Sequence, residues 1–203
     1  MSRSNQSVRT FVVSPRSLLA TIVLGIAAAS CAPSPQVVVI SPDLADRPGN
    51  SARQPTVELA VRDGRSSKVI GSRDRYYAEK STISTEADIT PRLTELVSKK
   101  LESQGYTVVE PRSGGEVKLT VELQKLSYET IDSRFTEVKV SSIVGVTCSK
   151  GGDTLTSRYE TNRREEFTTI PDEQSNSDLI NSVVGKGLDE MLGDEKLMAF
   201  MSK

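Results

Sequence analysis

The chain predicts an α+β fold: a mostly antiparallel sheet with two main helices packed on one face, in the order β-α-β-β-β-β-α. Three observations carry this. Period-two alternation of apolar and polar residues runs through Thr56–Arg62 and returns in three long segments after Glu116. Two stretches, after Thr90 and after Asn176, instead repeat apolar residues every three or four positions, as amphipathic helices do. Both helical stripes are buried if the helices lie on one face of the sheet.

The elements follow in order. Val37-Val38-Val39-Ile40 suits a short first strand, and the Pro-, Asp- and Asn-containing stretch Ser41–Pro55 reads as loop. Val57, Leu59 and Val61 mark the buried face of the next strand, which ends at Asp63-Gly64, a turn signal. Lys68–Gly71 is a brief extended piece before a polar Ser72–Lys80 loop. In the first helix Thr90 can cap, Pro91 suits the first position and Gly105 the stop, with Leu93, Leu96, Val97 and Leu101 on one side and Lys100 at its border. Tyr106–Glu110 is a strand, broken by Pro111 and Gly114-Gly115.

Val117, Leu119, Val121 and Leu123 share a face, and the change of phase at Leu126 and Tyr128 predicts a bulge or twist. Phe135–Cys148 alternates similarly, and Gly151-Gly152-Asp153 turns the chain into Thr154–Thr169, completing a meander. The second helix starts at Asn176 or Ser177 and carries Leu179, Ile180, Val183, Val184, Leu188, Met191 and Leu192. Gly185 and Gly187 lower its propensity but allow close approach to a sheet. Asp194 can cap a last short turn.

Residues 1–30 read as a secretion signal, 31–55 as a tether with a possible short strand, and 56–203 as a single α+β domain. Arg3, Arg9 and Arg16 form a positive start, followed by the uncharged run Leu18–Ala29, shorter than the roughly 18 to 20 residues that span hydrocarbon. Ala28-Ala29-Ser30 then leads into Cys31 and resembles the lipobox of bacterial lipoproteins, with alanine at 28 where leucine is usual. That resemblance implies lipidation of Cys31 and cleavage before it. Two alternatives are an ordinary signal-peptidase site, releasing a soluble periplasmic protein, and an uncleaved anchor. Ala32-Pro33-Ser34-Pro35 suits a stiff spacer off a lipid surface. Residue 32 is alanine, not the aspartate that resembles the inner-membrane retention signal of enterobacterial lipoproteins, and the lipobox resemblance therefore implies the outer membrane.

Composition narrows the chemistry. After residue 30 the chain holds 23 basic and 27 acidic side chains, a net of −4, which gives no basic field for nucleic acid. With no histidine, Ser-His-Asp and Cys-His catalysis and histidine-ligated metals are excluded, and neither a metal site nor a cofactor is expected. Tryptophan is absent and aromatics are 4% of residues, too few for a stacking platform. Cys148 is left as a lone thiol, expected to be buried and inert. Gly114-Gly115 and Gly151-Gly152 lack the strand–loop–helix context of phosphate sites and read as turns, and Arg163-Arg164-Glu165-Glu166 reads as solvated charge.

The segment Asp63–Arg73 follows a strand, where loops often carry function. Val61, Asp63, Arg65, Lys68, Ile70 and Gly71 resemble the post-strand motif of the YajG-type lipoproteins, envelope proteins of Gram-negative bacteria. The likeness continues through the polar loop Ser81–Thr85, through Ile89-Thr90-Pro91 and through Gln104-Gly105-Tyr106. It covers most of 31–200, strongest from 56 to 110, and departs at Ser66, where proline is expected, and in the polar C-terminal half. It implies no settled activity. Asp63, Arg65, Lys68, Gly71 and Arg73 are a candidate interaction loop; the competing reading is a local ion pair or Asx turn.

The expected function is therefore a non-enzymatic accessory or binding module of the cell envelope, tethered to the membrane through Cys31 and partnered by an envelope protein complex. The alternative is a carrier or sensor of a small or lipidic ligand in a helix–sheet groove. A hydrolase is a third possibility, and would show ionisable groups clustered in a cleft.

Overall fold

The computed structural model describes residues 34–46, 54–75, 78–132 and 136–202. The leader, Cys31 and the first spacer residues lie outside these, as does Phe135.

Eight strands form one mixed sheet: β1 (Gln36–Val38), β2 (Thr56–Asp63), β3 (Val69–Ser72), β4 (Thr82–Thr85), β5 (Thr107–Val109), β6 (Val117–Asp132), β7 (Thr136–Lys150) and β8 (Asp153–Phe167). Among the described residues three α-helices accompany it: α1 (Thr90–Ser103), α2 (Glu173–Leu192) and α3 (Glu195–Ser202). The fold is α+β as expected, with long antiparallel ladders joining β6, β7 and β8. The change of phase in β6 is a register shift between Leu123 and Lys125.

β6 organises the rest. One of its edges pairs with β7 throughout; the other pairs first with β2, from Val117 to Leu123, and then with β3 at Tyr128, both in parallel. The sheet therefore forks. One arm continues β2–β5, the other β3–β4–β1. β4 corrects the expectation of a polar loop at Ser81–Thr85. Ile83 is the only large apolar residue there, too weak a pattern to read as a strand. Paired on both sides, by β1 and β3, it is nevertheless completely buried.

The helices cover one face. Leu59, Leu119 and Cys148 form one cross-strand row under them, and Val61, Val121 and Val146 another. α1 packs on β2 and β5, α2 on β7 and β8, and α3 on β7. Gly187 lets α2 settle on the sheet, since a Cβ there would lie 3.2 Å from Val144 Cγ2, whereas Gly185 faces Pro42. Val183, Val184, Leu188, Met191 and Leu192 are each at most 2% exposed, so the helix–sheet layer is filled with side chains.

Two helix starts differ from expectation. Thr90 is already helical, and Asp88 Oδ1 accepts its backbone N–H at 2.9 Å. α2 begins at Glu173, capped by Asp172, which accepts from Ser175 N at 2.8 Å. Apolar periodicity begins only at Leu179, so the polar first turns of this helix carried no period to read. At the other end of α1 the stop is as expected: Gly105 has φ 98° and Tyr106 N bonds back to Leu101 O at 3.1 Å.

Candidate functional site

Asp63 closes β2, and the chain leaves the sheet at the fork between the two arms. Arg65 bridges that gap. Its Nε and Nη2 donate to Asp63 Oδ1 and Oδ2 at 2.8 and 2.7 Å, and Nη2 also donates to Thr85 Oγ1 of β4 at 3.0 Å. Asp63 Oδ1 further accepts Arg65 N at 3.2 Å, an Asx turn. The Arg65 side chain is 3% exposed, and its Nη1 is buried with no partner among the described residues. A guanidinium so enclosed depends on its carboxylate. Reciprocally, the hydrogen bond from Arg65 holds the Asp63 carboxyl below its ordinary range, with Lys68 adding a weaker attraction.

The other members of the segment divide between the fork and a second junction. Lys68 is exposed, and its carbonyl accepts Thr85 N at 3.0 Å. Gly71 is required by space: a Cβ there would sit 1.9 Å from the Tyr128 carbonyl oxygen, where β3 abuts β6. Arg73 turns away from Asp63, and its Nη1 and Nη2 donate to Ser34 O and Pro171 O at 3.4 and 3.5 Å. Glu173 Oε1 lies 3.9 Å from the same guanidinium. The structure thus gathers Asp63, Arg65 and Lys68 at the fork and assigns Arg73 to the junction of the N-terminal segment with α2.

That junction contains residues that sequence reading missed. Tyr128 O–H donates to Asn176 Oδ1 at 2.6 Å, Asn176 Nδ2 donates to Gln36 Oε1 at 3.0 Å, and Gln36 Nε2 donates to Glu173 O at 2.7 Å. Asn176 is fully buried, and burial raises the Tyr128 pKa. The available signal was a lone asparagine one helical turn before an apolar stripe, which by itself reads as a cap. Further along, Asn181 brackets the N-terminal segment, accepting from Ser41 N at 2.8 Å and donating to Val39 O at 3.0 Å. Lys100, 7% exposed, donates from α1 to Leu44 O at 3.1 Å and to Asp46 Oδ1 at 2.9 Å.

Two further groups have perturbed protonation. Cys148 is fully buried, and burial pushes its thiol up to about 11, so it stays protonated and unreactive at neutral pH. Tyr159 O–H donates to Asp194 Oδ2 at 2.6 Å, lowering the Asp194 pKa, while Asp194 Oδ1 caps α3 through Lys196 N at 2.8 Å. A 590 Å3 hollow runs along α2, lined by polar residues including Asp43, Asp178, Asn181 and Lys186. No helix among the described residues is long and apolar enough to cross a membrane.

The forked sheet with helices on one face is a known fold. A DUF330 family protein from Xanthomonas campestris shares it at 12% identity, over 77% of this chain and 93% of that one, with a TM-score of 0.52. A minor lipoprotein from Acinetobacter baumannii matches at 14% identity over 72% and 95%, with a TM-score of 0.43. A lipoprotein from Neisseria meningitidis, GNA1162, matches at 12% identity over 64% and 96%, with a TM-score of 0.31. No curated protein matches the chain. Residues 42–202 match the model of a family described as uncharacterised lipoproteins, and the chain belongs to that family.

Proposed function

We propose that this chain is a YajG-type lipoprotein, lipidated on Cys31 and held at the periplasmic face of the outer membrane, where it serves as a non-enzymatic docking module of an envelope protein complex. The observation that carries this reading is the rigid joining of the N-terminal segment to the body. β1 begins five residues after Cys31 in the sequence. From there to Asp46 the segment is fastened by the Gln36–Asn176–Tyr128 bonds, by Asn181 and by Lys100. A segment built into the body within a few residues of Cys31 leaves only a short linker to the proposed lipid, which suits docking close to the membrane. The residues after the leader, 31–55, then act as a tether of which 36–46 are built into the folded body.

The filled layer between helices and sheet supports docking over the carrier reading, which requires an apolar cavity of roughly 300 Å3 or more. Intact mass spectrometry of protein extracted from membranes tests the anchor: the mass should lack residues 1–30 and carry acyl chains, and Cys31→Ser should remain unlipidated. Crosslinking in intact cells followed by mild extraction tests the role. A reproducible envelope partner is expected, and repeated recovery of the chain with no crosslinked partner would overturn it.

A further inference from the structure

β8 ends the sheet with 15 residues, and among the described residues its outer edge pairs with no strand. An edge this long is a template for another strand, and proteins commonly cover it or charge it. This one is charged, and the charges are ordered. Arg158, Glu160, Asn162, Arg164 and Glu166 all lie on the open face of the sheet, in register with Gly145, Ile143, Ser141, Lys139 and Glu137 of β7. All five are exposed, and their signs run plus, minus, neutral, plus, minus.

Reversing that order inverts every sign. A second β8 laid antiparallel and centred on Asn162 therefore sets Arg158 against Glu166 and Glu160 against Arg164, each pair occurring twice by symmetry. On the inner face the same register places Tyr159 opposite Glu165 and Thr161 opposite Arg163, with no like charges opposed. Neighbouring registers fail. Centring on Thr161 sets Arg158 against Arg164, and centring on Arg163 sets Glu160 against Glu166.

We propose that β8 is an interface between two copies of this chain, paired antiparallel about a two-fold axis through Asn162. Within one chain the ion pairs among the described residues leave Arg158, Glu160 and Glu166 unused. Arg164 lies 2.8 Å from Glu137 yet keeps a side chain 62% exposed, able to meet a partner strand. The inference goes beyond the docking role because it names what occupies one edge, and it does not depend on lipid at Cys31.

The test uses the full chain carrying Asn162→Cys, oxidised in intact expressing cells and run on a non-reducing gel. Directly opposed residues across antiparallel strands have Cβ atoms about 4.5–5.5 Å apart, close enough for a disulfide after small shifts. A band of twice the chain mass is expected, absent from the parent chain, whose own cysteines are Cys31 and the buried Cys148. Thr154→Cys should give no such band, because the two copies of that residue lie toward opposite ends of the paired edges. Adding Arg158→Glu to Asn162→Cys should lower the dimer yield about tenfold by opposing like charges at two symmetric positions, and further adding Glu166→Arg should restore it. The proposal is overturned if Asn162→Cys, with protease resistance equal to the parent, gives no dimer. It is equally overturned if Thr154→Cys gives as much, if the charge reversal changes nothing, or if the Asn162→Cys variant crosslinks to a different protein instead.

Discussion

At the β1 edge, a three-residue strand pairs with β4, and α2 reaches round it: Asn181 takes Val39 O and Ser41 N, while Asn176 holds Gln36. At the β8 edge, 15 residues stand with their outer backbone groups free of any strand among the described residues, marked by alternating charge. The first edge is apolar in sequence, with Val37 and Val39 exposed, and is tied down by side-chain hydrogen bonds from α2. The second is polar and protected by charge, with only its inner face covered by α2. Covering an edge builds it into the fold and makes it costly to disturb; charging it leaves it available and cheap to alter. The difference separates an edge built into the fold from one left open.

Substitutions should expose that asymmetry, starting with the covered edge. Ile40→Ala empties a fully buried site just past β1, and should destabilise the chain by about 3.5 kcal/mol in denaturant unfolding. Asp63→Asn leaves the enclosed Arg65 guanidinium without its carboxylate, and a loss of about 2.5 kcal/mol is expected at neutral pH. Because the Asp63 pKa is depressed in the folded state, its contribution is fully present above the ordinary carboxylate range and is lost as pH falls through the folded value. Acid titration of stability should therefore be shallower in Asp63→Asn than in the parent; identical slopes would exclude the pair as a source of acid sensitivity.

Asn176→Ala removes the link between Tyr128 and Gln36 and should cost about 2 kcal/mol, since it leaves two buried polar groups unpaired. It should also increase protease cleavage within 36–46 ahead of global unfolding, whereas unchanged cleavage would show that β1 is held by packing alone. At the charged edge, Arg158→Ala should shift stability by less than about 0.5 kcal/mol. A loss comparable to that of Asn176→Ala would break the contrast between the edges.

Much of the architecture was legible because its causes are local. The meander strands announce themselves by alternation, the β6 bulge by its phase change, and the end of α1 by Gly105. β4 escaped because one isoleucine sets no period, and the start of α2 because its first turns are polar. The candidate segment was half legible. Asp63 and Arg65 sit two positions apart, so their ion pair is within reach of a sequence argument, but their bond to Thr85 and the departure of Arg73 toward Ser34 and Pro171 are not.

What the sequence alone determined is the long elements and their buried faces, because periodicity is written residue by residue along the chain. The tertiary structure decided the fork in the sheet, the parallel pairing of β6 with β2 and β3, and the hydrogen bonding of β1 to α2. Those contacts join residues as far apart as Gln36 and Asn176, and their partners are selected by which buried polar groups and apolar faces find complements once the chain has collapsed. The self-complementary charge of β8 belongs to both levels. Its order is visible in the sequence as solvated charge, yet it acquires meaning only when the fold leaves that strand at the edge.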